Sequence, residues 1–300
     1  MTLFLALLLD AALGEPRWLW SRLPHPAVLM GRVIGWADDR FNRGAARRAK
    51  GAAACTTLCL GAGLLGAILS ALPFGRPLEV IVVAVVIAQR SLVDHVRAVG
   101  DALRLSTGDG RQAVARIVGR DTSAMDDPAI SRAAIESAAE NFSDGVVAPI
   151  LWFAFAGLPG ILIYKIVNTA DSMIGYQTPR HAEFGWASAR LDDLMNRVPA
   201  RVTALLIVVA QRAWNAWPVI LRDARLHRSP NAGWPEAAMA AAIDVALAGP
   251  RSYGGEMRSF PFVNANGRHD PGPSDIDTAI TVLWRGWVLL VALSLIGALF

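Results

Sequence analysis

The sequence predicts an all-α, polytopic integral membrane protein with broken or re-entrant helices and a helical, loop-rich polar region at the membrane surface. Three observations predict it. Hydrophobic residues make up 54% of the 300 residues, and mean hydropathy is positive, which is apolar for a soluble chain of this length. Uncharged runs reach the roughly 20 residues that cross a hydrocarbon core. One apolar segment is split by Gly157-Leu158-Pro159-Gly160, and backbone broken at membrane depth is tolerated only where protein shields it or where it lines a cavity.

The elements follow in order. Met1–Leu13 is apolar, lacks a basic leader and breaks at Gly14-Glu15-Pro16, so it is expected to be a retained short membrane helix and not a cleaved signal. Ala52 to about Phe74 is the clearest span. Arg40, Arg43, Arg47, Arg48 and Lys50 precede it, and by the positive-inside rule they belong on the cytoplasmic side. After a turn at Pro73–Pro77 the chain re-enters as Leu78–Ala88, and the same helix is expected to run on through Arg90, Asp94, Arg97, Asp101 and Arg104, a charged stripe read as a solvated, salt-bridged face. Gly108-Asp109-Gly110 reads as a turn, and a second helix is expected to start near Pro128 and end at Gly145.

Val146–Ala156 and Ile161–Ala170 are apolar halves of about ten residues, each too short to cross alone. Either one kinked helix spans, or two half-helices dip in and return; the re-entrant hairpin is preferred because it puts the polar motifs at both ends in one compartment. Val202–Ile220 is interrupted by Gln211-Arg212 and Pro218, residues 222–278 read as loop-rich, and Thr281–Phe300 is the last apolar stretch. No repeat or linker divides the chain, so residues 1–300 are expected to form a single membrane-embedded domain.

Net charge is only +4 and the basic residues are dispersed, so no nucleic-acid partner is expected. Cys55 and Cys59, four apart in an apolar run, read as small buried residues. No phosphate loop, zinc-protease helix, serine-hydrolase elbow or dinucleotide fingerprint is present.

The chemistry-bearing residues gather around the broken segment. Glu136 and Glu140 lie one helical turn apart, with Asn141 and Asp144 following. Acids paired on one face suit a divalent cation or acid–base work, or else form a solvated face. Beyond the break, Lys165, Asn168 and Asp171 recur at helical spacing and Tyr176 follows; polar groups entering a membrane segment are expensive and call for partners or a ligand, with a Lys165–Asp pair as the structural alternative. Arg190 precedes Asp192 and Asp193, which point about 100° apart on a helix, so one suits a cation while the other pairs with an arginine. Asn231 sits in a loop, Ser229 to Glu236, that opens a helix and offers N–H groups to phosphate.

In order, these strings resemble the cobalamin biosynthesis family CobD/CbiB, the membrane adenosylcobinamide-phosphate synthases. The resemblance covers nearly the whole chain: Asp10 with Gly14-Glu15-Pro16, His25-Pro26, Gly119-Arg120-Asp121-Thr122, Glu136-Ser137 through Asp144-Gly145, Tyr164-Lys165 through Ser172-Met173, Phe184-Gly185 through Asp192-Asp193, and Ser229-Pro230-Asn231-Ala232-Gly233. Two features depart from the pattern. His181 stands where the family usually has tyrosine, and residues 259–276 lack its Leu-Gly stretch.

The resemblance implies ATP-dependent amide formation between adenosylcobyric acid and an aminopropanol phosphate, with magnesium, in the inner membrane and with a cytoplasm-facing site. It implies catalytic roles for Glu136, Glu140, Asp171 and Lys165, and a metal–phosphate centre drawn from Glu136, Glu140, Asp144, Asp171, Asp192 and Asp193. Substrate contacts would come from Asn141, Asn168, Arg190, Asn231, Trp152 and Tyr176, with Trp152 bordering the corrin face. The expected partners are the corrinoid, the aminopropanol phosphate and the lipid bilayer, with a homo-oligomer left open. Three rivals remain from the residues alone: a transporter with a broken-helix substrate site, a magnesium-dependent membrane phospho- or prenyltransferase, and a membrane scaffold without catalysis.

Overall fold

The long apolar runs form helices, as backbone groups away from water must be satisfied within one segment. The computed structural model describes residues 1–253 and 256–299; Phe300, where the last expected span ends, lies outside them. In chain order the helices are α1 (Thr2–Leu13), α2 (Arg17–Trp20), α3 (Pro26–Phe41), α4 (Arg47–Ala71), α5 (Gly75–Val86), α6 (Gln89–Leu105) and α7 (Thr107–Val114). After these come α8 (Asp127–Phe142), α9 (Ala148–Ile174), α10 (Trp186–Met195), α11 (Arg197–Gln211), α12 (Trp217–Asp223), α13 (Gly233–Ala242) and α14 (Pro273–Leu299). Two antiparallel ribbons pair β1 (Leu247–Ala248) with β4 (Phe262–Val263), and β2 (Arg251–Tyr253) with β3 (Glu256–Arg258). Among the described residues, three helical stretches are long and apolar enough to cross a membrane, namely Arg47–Ala71, Asp127–Ile174 and Pro273–Leu299. The chain is a helical membrane protein.

The chain divides into two compact units: residues 1–88, 144–197 and 294–300 form the first, and residues 89–143 and 198–293 the second. In the first, α4 turns Leu60, Leu64, Leu65 and Ile68 outward, as a lipid-facing surface would. Its inner face packs on α9 through Gly66, where an added Cβ would lie 2.5 Å from the Pro159 backbone nitrogen. Small residues let helix backbones approach in this way. Tyr164, Val167, Ala170 and Ile174 of α9, with Ile34 of α3 and Phe184, make the core of this unit. Cys55 is buried, Cys59 partly so, and both are free.

The segment Asp127–Ile174 is not a single crossing. In α9 the helical dihedrals fail at Ala156 and at Gly157, where φ is 60° and ψ −152°, a conformation open to glycine and strained for other residues. The Tyr164 hydroxyl lies 2.9 Å from the Asp144 carbonyl oxygen, although twenty residues of straight helix would separate them by about 30 Å. A Cβ on Gly160 would meet the Trp152 carbonyl oxygen at 2.4 Å. The chain therefore doubles back at Ala156–Gly157, with Phe155 exposed at the tip, and the re-entrant hairpin expected from the two short apolar halves is the observed arrangement.

In the second unit α8 is the central element, burying Ile130, Ile135, Ala138 and Phe142. Leu92, Val93, Val96 and Val99 of α6, Met239 of α13 and Leu283 of α14 are buried in the same unit.

Several expectations are corrected. The return helix is not continuous: α5 stops at Val86, Ile87 is extended (ψ 139°) and α6 begins at Gln89. The break is fixed by the Ala88 N–H, which donates to the Gly145 carbonyl (3.1 Å). The charged stripe on α6 is the solvated face anticipated, with Arg90–Asp94, Arg97–Asp94 and Arg104–Asp101 pairs, all exposed. Gly108-Asp109-Gly110 is not a turn; it lies in α7, whose start is capped by the Ser106 hydroxyl accepting from the Asp109 N–H. Gly145 does not end a helix but lies in a π-turn, Ser143–Val147. Residues 222–278 hold α13 and the two ribbons, where long-range pairing supplied order that local Pro, Gly and Asn content did not announce.

Candidate functional site

In the first unit the hairpin sets Asp144 beside the second arm, so the fields of Asp144 and Glu15 both reach Lys165. Lys165 makes no ion pair within the salt-bridge distance among the described residues, so the Lys165–Asp pair offered as the structural alternative is not formed. Asn168, one turn further on, donates through Nδ2 to Asp192 Oδ1 (3.2 Å). Asp192 also accepts from Asn196 Nδ2 (3.0 Å). Asn196 in turn faces the Tyr164 hydroxyl at 2.9 Å. That hydroxyl has one proton for two acceptors, Asn196 Oδ1 and the Asp144 carbonyl, so the chain from Asp192 to Asp144 is a single polar network.

Asp192 is the most perturbed acid of this network. Burial and then the nearby Asp171 carboxylate push it up to about 7, against the two asparagine amides that favour its ionised form. Asp193, also raised by burial, pairs with Arg190 at 3.4 Å. Helix geometry had separated the two acids in this sense: Asp192 points into the protein and Asp193 to the arginine. Trp152 donates its indole N–H to the Met195 carbonyl (3.2 Å). Tyr176 is exposed.

An ion pair that sequence reading passed over braces the same unit. Arg180 Nη2 lies 2.6 Å from Asp38 Oδ2, and the His181 ring lies 3.4 Å from the same oxygen. Asp38 is buried, but the Arg180 and Asn42 hydrogen bonds outweigh that and hold it below the usual carboxylate range. His181, the departure from the family pattern, is thus placed on Asp38.

In the second unit Glu136 is buried and fully engaged. Arg120 Nη2 lies 2.7 Å from Oε2, Arg251 Nη2 lies 3.2 Å from Oε1, and the Ala248 N–H donates to Oε1 at 2.7 Å. Ala248 takes φ 60°, left-handed for a non-glycine residue, to aim that N–H. Glu136, expected as a metal ligand and catalytic acid, has its oxygens engaged by two arginines and a backbone N–H. Glu140 shares its face, and both carboxylates act on Glu236 of α13. Burial first, and these neighbours second, raise Glu236 well above the ordinary carboxyl range; Glu236 Oε1 stands 3.6 Å from His227, which burial keeps toward its neutral form.

Asn141 donates to the Ser137 carbonyl one turn back (2.9 Å). Asn231 is buried and accepts from Arg201 (2.9 Å). The N–H groups of Asn231 and Ala232 point at the Ser229 hydroxyl, so two of the groups expected to receive phosphate at this helix start are already satisfied.

Arg120, Arg132 and Arg251 line a cavity of about 370 Å³ in this unit, with Glu136 among its walls. Sequence reading quoted Arg120 only within a motif and missed Arg132 and Arg251. An arginine next to Pro250 in a loop-rich stretch carries no local signal, since Glu136 lies 115 residues earlier in the chain. Glu236 carried a faint one, as the only charge in the run Gly233–Ala242.

Among the described residues no three His, Cys, Asp or Glu side chains converge tightly enough to hold a metal ion. Magnesium asks for less, often one or two carboxylates with the rest supplied by phosphate and water. Asp171 and Asp192 fit that demand: their mutual repulsion, seen in the raised Asp192, is what a divalent cation would relieve.

The fold and these sites define a helical integral membrane protein, one unit carrying a re-entrant hairpin with a buried acid network and the other a buried cluster of acids and arginines. More particularly, the chain belongs to the CobD/Cbib protein family, which matches residues 3–283. It is 51% identical to the cobalamin biosynthesis protein CobD of Rhizobium meliloti (strain 1021), covering 95% of this chain and 92% of that one. It is 50% identical to the protein of the same name from Sinorhizobium fredii (strain NGR234), covering 98% of this chain and 95% of the relative. That of Brucella suis biovar 1 is 46% identical over 99% of this chain and 97% of its own length. No solved structure matches the chain.

Proposed function

We propose that this chain acts in cobalamin biosynthesis as adenosylcobinamide-phosphate synthase, an ATP-dependent amide-forming ligase of the inner membrane. It would join adenosylcobyric acid to (R)-1-amino-2-propanol O-2-phosphate. The observation that carries the reading is the family match over residues 3–283, supported by relatives about half identical over nearly their whole length whose name places them in cobalamin biosynthesis.

The chemistry fits what the residues offer. ATP phosphorylates the corrinoid carboxylate, releasing ADP; the free amine attacks the resulting acyl phosphate, loses a proton and expels phosphate. Magnesium would supply charge neutralisation for the phosphates, held by Asp171 and Asp192, with Asp193 and Asp144 as the further acids of the proposed centre. Lys165, set among carboxylates by the hairpin, and Arg190 would offset negative charge on the transferred phosphoryl group. An acid of this cluster that does not bind the cation would take the amine's proton as it attacks. Asn168 positions Asp192, while Trp152 and Tyr176 of the same unit stand as substrate contacts. The basic residues before α4 favour a cytoplasm-facing site.

The test is incubation of the purified protein in detergent with adenosylcobyric acid, the aminopropanol phosphate, ATP and magnesium, followed by mass measurement of the corrinoid. The expected result is the amide product, with ATP consumed only when both substrates are present. Absence of that product from folded protein would overturn the reading and leave the transporter rival.

A further inference from the structure

The residues of α3 that the first unit leaves uncovered form one face. Arg32, Trp36 and Arg40 follow at four-residue spacing, and Leu29 and Val33 lie beside them on the same side of the helix. All five are exposed, Trp36 to 61%. The opposite face, with Ile34 and Ala37, is buried, and Ile34 belongs to the core that Tyr164, Val167 and Phe184 share. The outer face is thus not the polar side of a soluble amphipathic helix but a mixture of large apolar side chains and arginines. Arg32, Arg40 and Arg43, the last just beyond the helix end, hold no carboxylate within ion-pair distance among the described residues. Asp39, the exposed acid of α3, is taken by Arg180 at 2.8 Å.

Contacts within the unit fix the depth of this helix. Gly31 and Gly35, one turn apart, both face the Met173 side chain in the last turn of α9, at 3.4 and 3.9 Å from an added Cβ. Asn42 donates to the Arg180 carbonyl (2.9 Å), Arg180 pairs with Asp38, and Arg47 at the start of α4 pairs with Glu183 (3.0 Å). Helix α3, the segment 179–185 and the start of α4 therefore share one level, the base of the re-entrant hairpin. The tip is far from it. Gly51 of α4 lies against the Phe184 carbonyl at the base, whereas Gly66 lies against Pro159 beside the tip, about 22 Å further along the helix axis. With 16 residues, about 24 Å of helix, α3 is too short as well as too charged to cross a core of about 30 Å.

We propose that α3 lies in the headgroup layer of the membrane and binds anionic phospholipid there, with Leu29, Val33 and Trp36 at the acyl boundary and Arg32, Arg40 and Arg43 on the lipid phosphates. Large apolar and basic side chains are stable side by side at that boundary, where one set meets acyl chains and the other phosphate. In water the same face would leave its apolar side chains exposed, and a two-fold contact between copies would set arginine-bearing faces against each other. The anchoring is independent of the reaction the chain performs.

The experiment uses the full-length protein with Cys55 and Cys59 replaced by alanine and an NBD fluorophore on Val33→Cys, in nanodiscs of phosphatidylglycerol and phosphatidylcholine. Quenching is measured with a neutral water-soluble nitroxide and with lipids carrying a nitroxide either near the headgroup or deep in the acyl chain; labelled Phe155→Cys is the deep reference. Position 33 is expected to be quenched most by the shallow lipid nitroxide and little from water, and position 155 most by the deep one. Shallow-nitroxide phosphatidylglycerol should quench position 33 in preference to the phosphatidylcholine counterpart by roughly fivefold or more, the contribution of one basic residue at an anionic surface. Arg32→Gln, Arg40→Gln and Arg43→Gln together should bring that preference near parity.

Quenching of position 33 from water and not from lipid would put the face in solvent, and protection from all three quenchers would put a second copy or another protein on it; either result overturns the proposal. So does an unchanged lipid preference in the folded triple variant. Should that variant fail to fold, the wild-type preference decides the same point: it is expected to vanish at about 1 M salt, where surface charges are almost fully screened, and its persistence there would refute the role of the arginines.

Discussion

Replacing Asp192 with asparagine tests the polar network that joins Asn168, Asp192, Asn196 and Tyr164 in the first unit. Burial and the Asp171 carboxylate raise Asp192 from 3.8 to about 7. A carboxyl whose affinity for protons is higher in the folded than in the unfolded chain loses stabilisation as pH rises. The folded state keeps its proton while the unfolded state gives it up above about pH 4, so stability falls by up to roughly 1.4 kcal/mol per pH unit until the folded group ionises near pH 7. Between about pH 5 and pH 8 this one group removes about 2.5 kcal/mol.

Asp192→Asn abolishes that slope at a separate, pH-independent cost. It turns one acceptor toward Asn168 or Asn196 into a donor, worth about 1–3 kcal/mol. Melting followed by tryptophan fluorescence in detergent is therefore expected to show the variant below wild type at about pH 5, with the gap closing toward pH 8. Millimolar magnesium should raise the wild-type midpoint at the higher pH and leave the variant's nearly unmoved. Parallel pH profiles for the two proteins would refute the assignment of a raised Asp192, and an equal magnesium response would refute its role in cation binding.

Gly66→Ala should lower the melting midpoint sharply, because its Cβ would meet the Pro159 and Leu158 backbone at 2.5–2.7 Å and backbone cannot step aside as a side chain does; a midpoint within a degree or so of wild type would speak against the close approach of α4 to the hairpin. In a background lacking Cys55 and Cys59, Gly145→Cys and Tyr176→Cys should react with a membrane-impermeant maleimide from the same side of the bilayer, whereas Phe155→Cys at the tip should resist it; labelling of 145 and 176 from opposite sides would restore a single crossing. Glu236→Gln should match wild type in acid and melt higher near about pH 9, as a buried carboxyl raised far above its usual range destabilises the fold on ionising; a variant less stable at both pH values would show that its charge is used.

What could be read from the chain was what depends on composition and short spacing. Length and apolarity gave α4 and α14 as crossing candidates, since a hydrocarbon core requires only a sufficient apolar run. The split segment was legible because halves of ten residues cannot span and Gly157 permits reversal. Helical spacing foretold that Asp192 and Asp193 would part company.

Tertiary structure alone decided which charges meet. Glu136 and Glu140 look alike in the sequence, yet Glu136 is engaged by Arg120, Arg251 and the Ala248 N–H, whose positions are set by two ribbons more than a hundred residues onward and a loop sixteen residues back. Likewise the end of α5 was fixed by one hydrogen bond from Ala88 to Gly145. Local propensity and hydropathy act over a few turns of chain, whereas ion pairing and carbonyl satisfaction act through space, so the first can place helices in a membrane and only the second can say which acid is anchored and which is poised for chemistry.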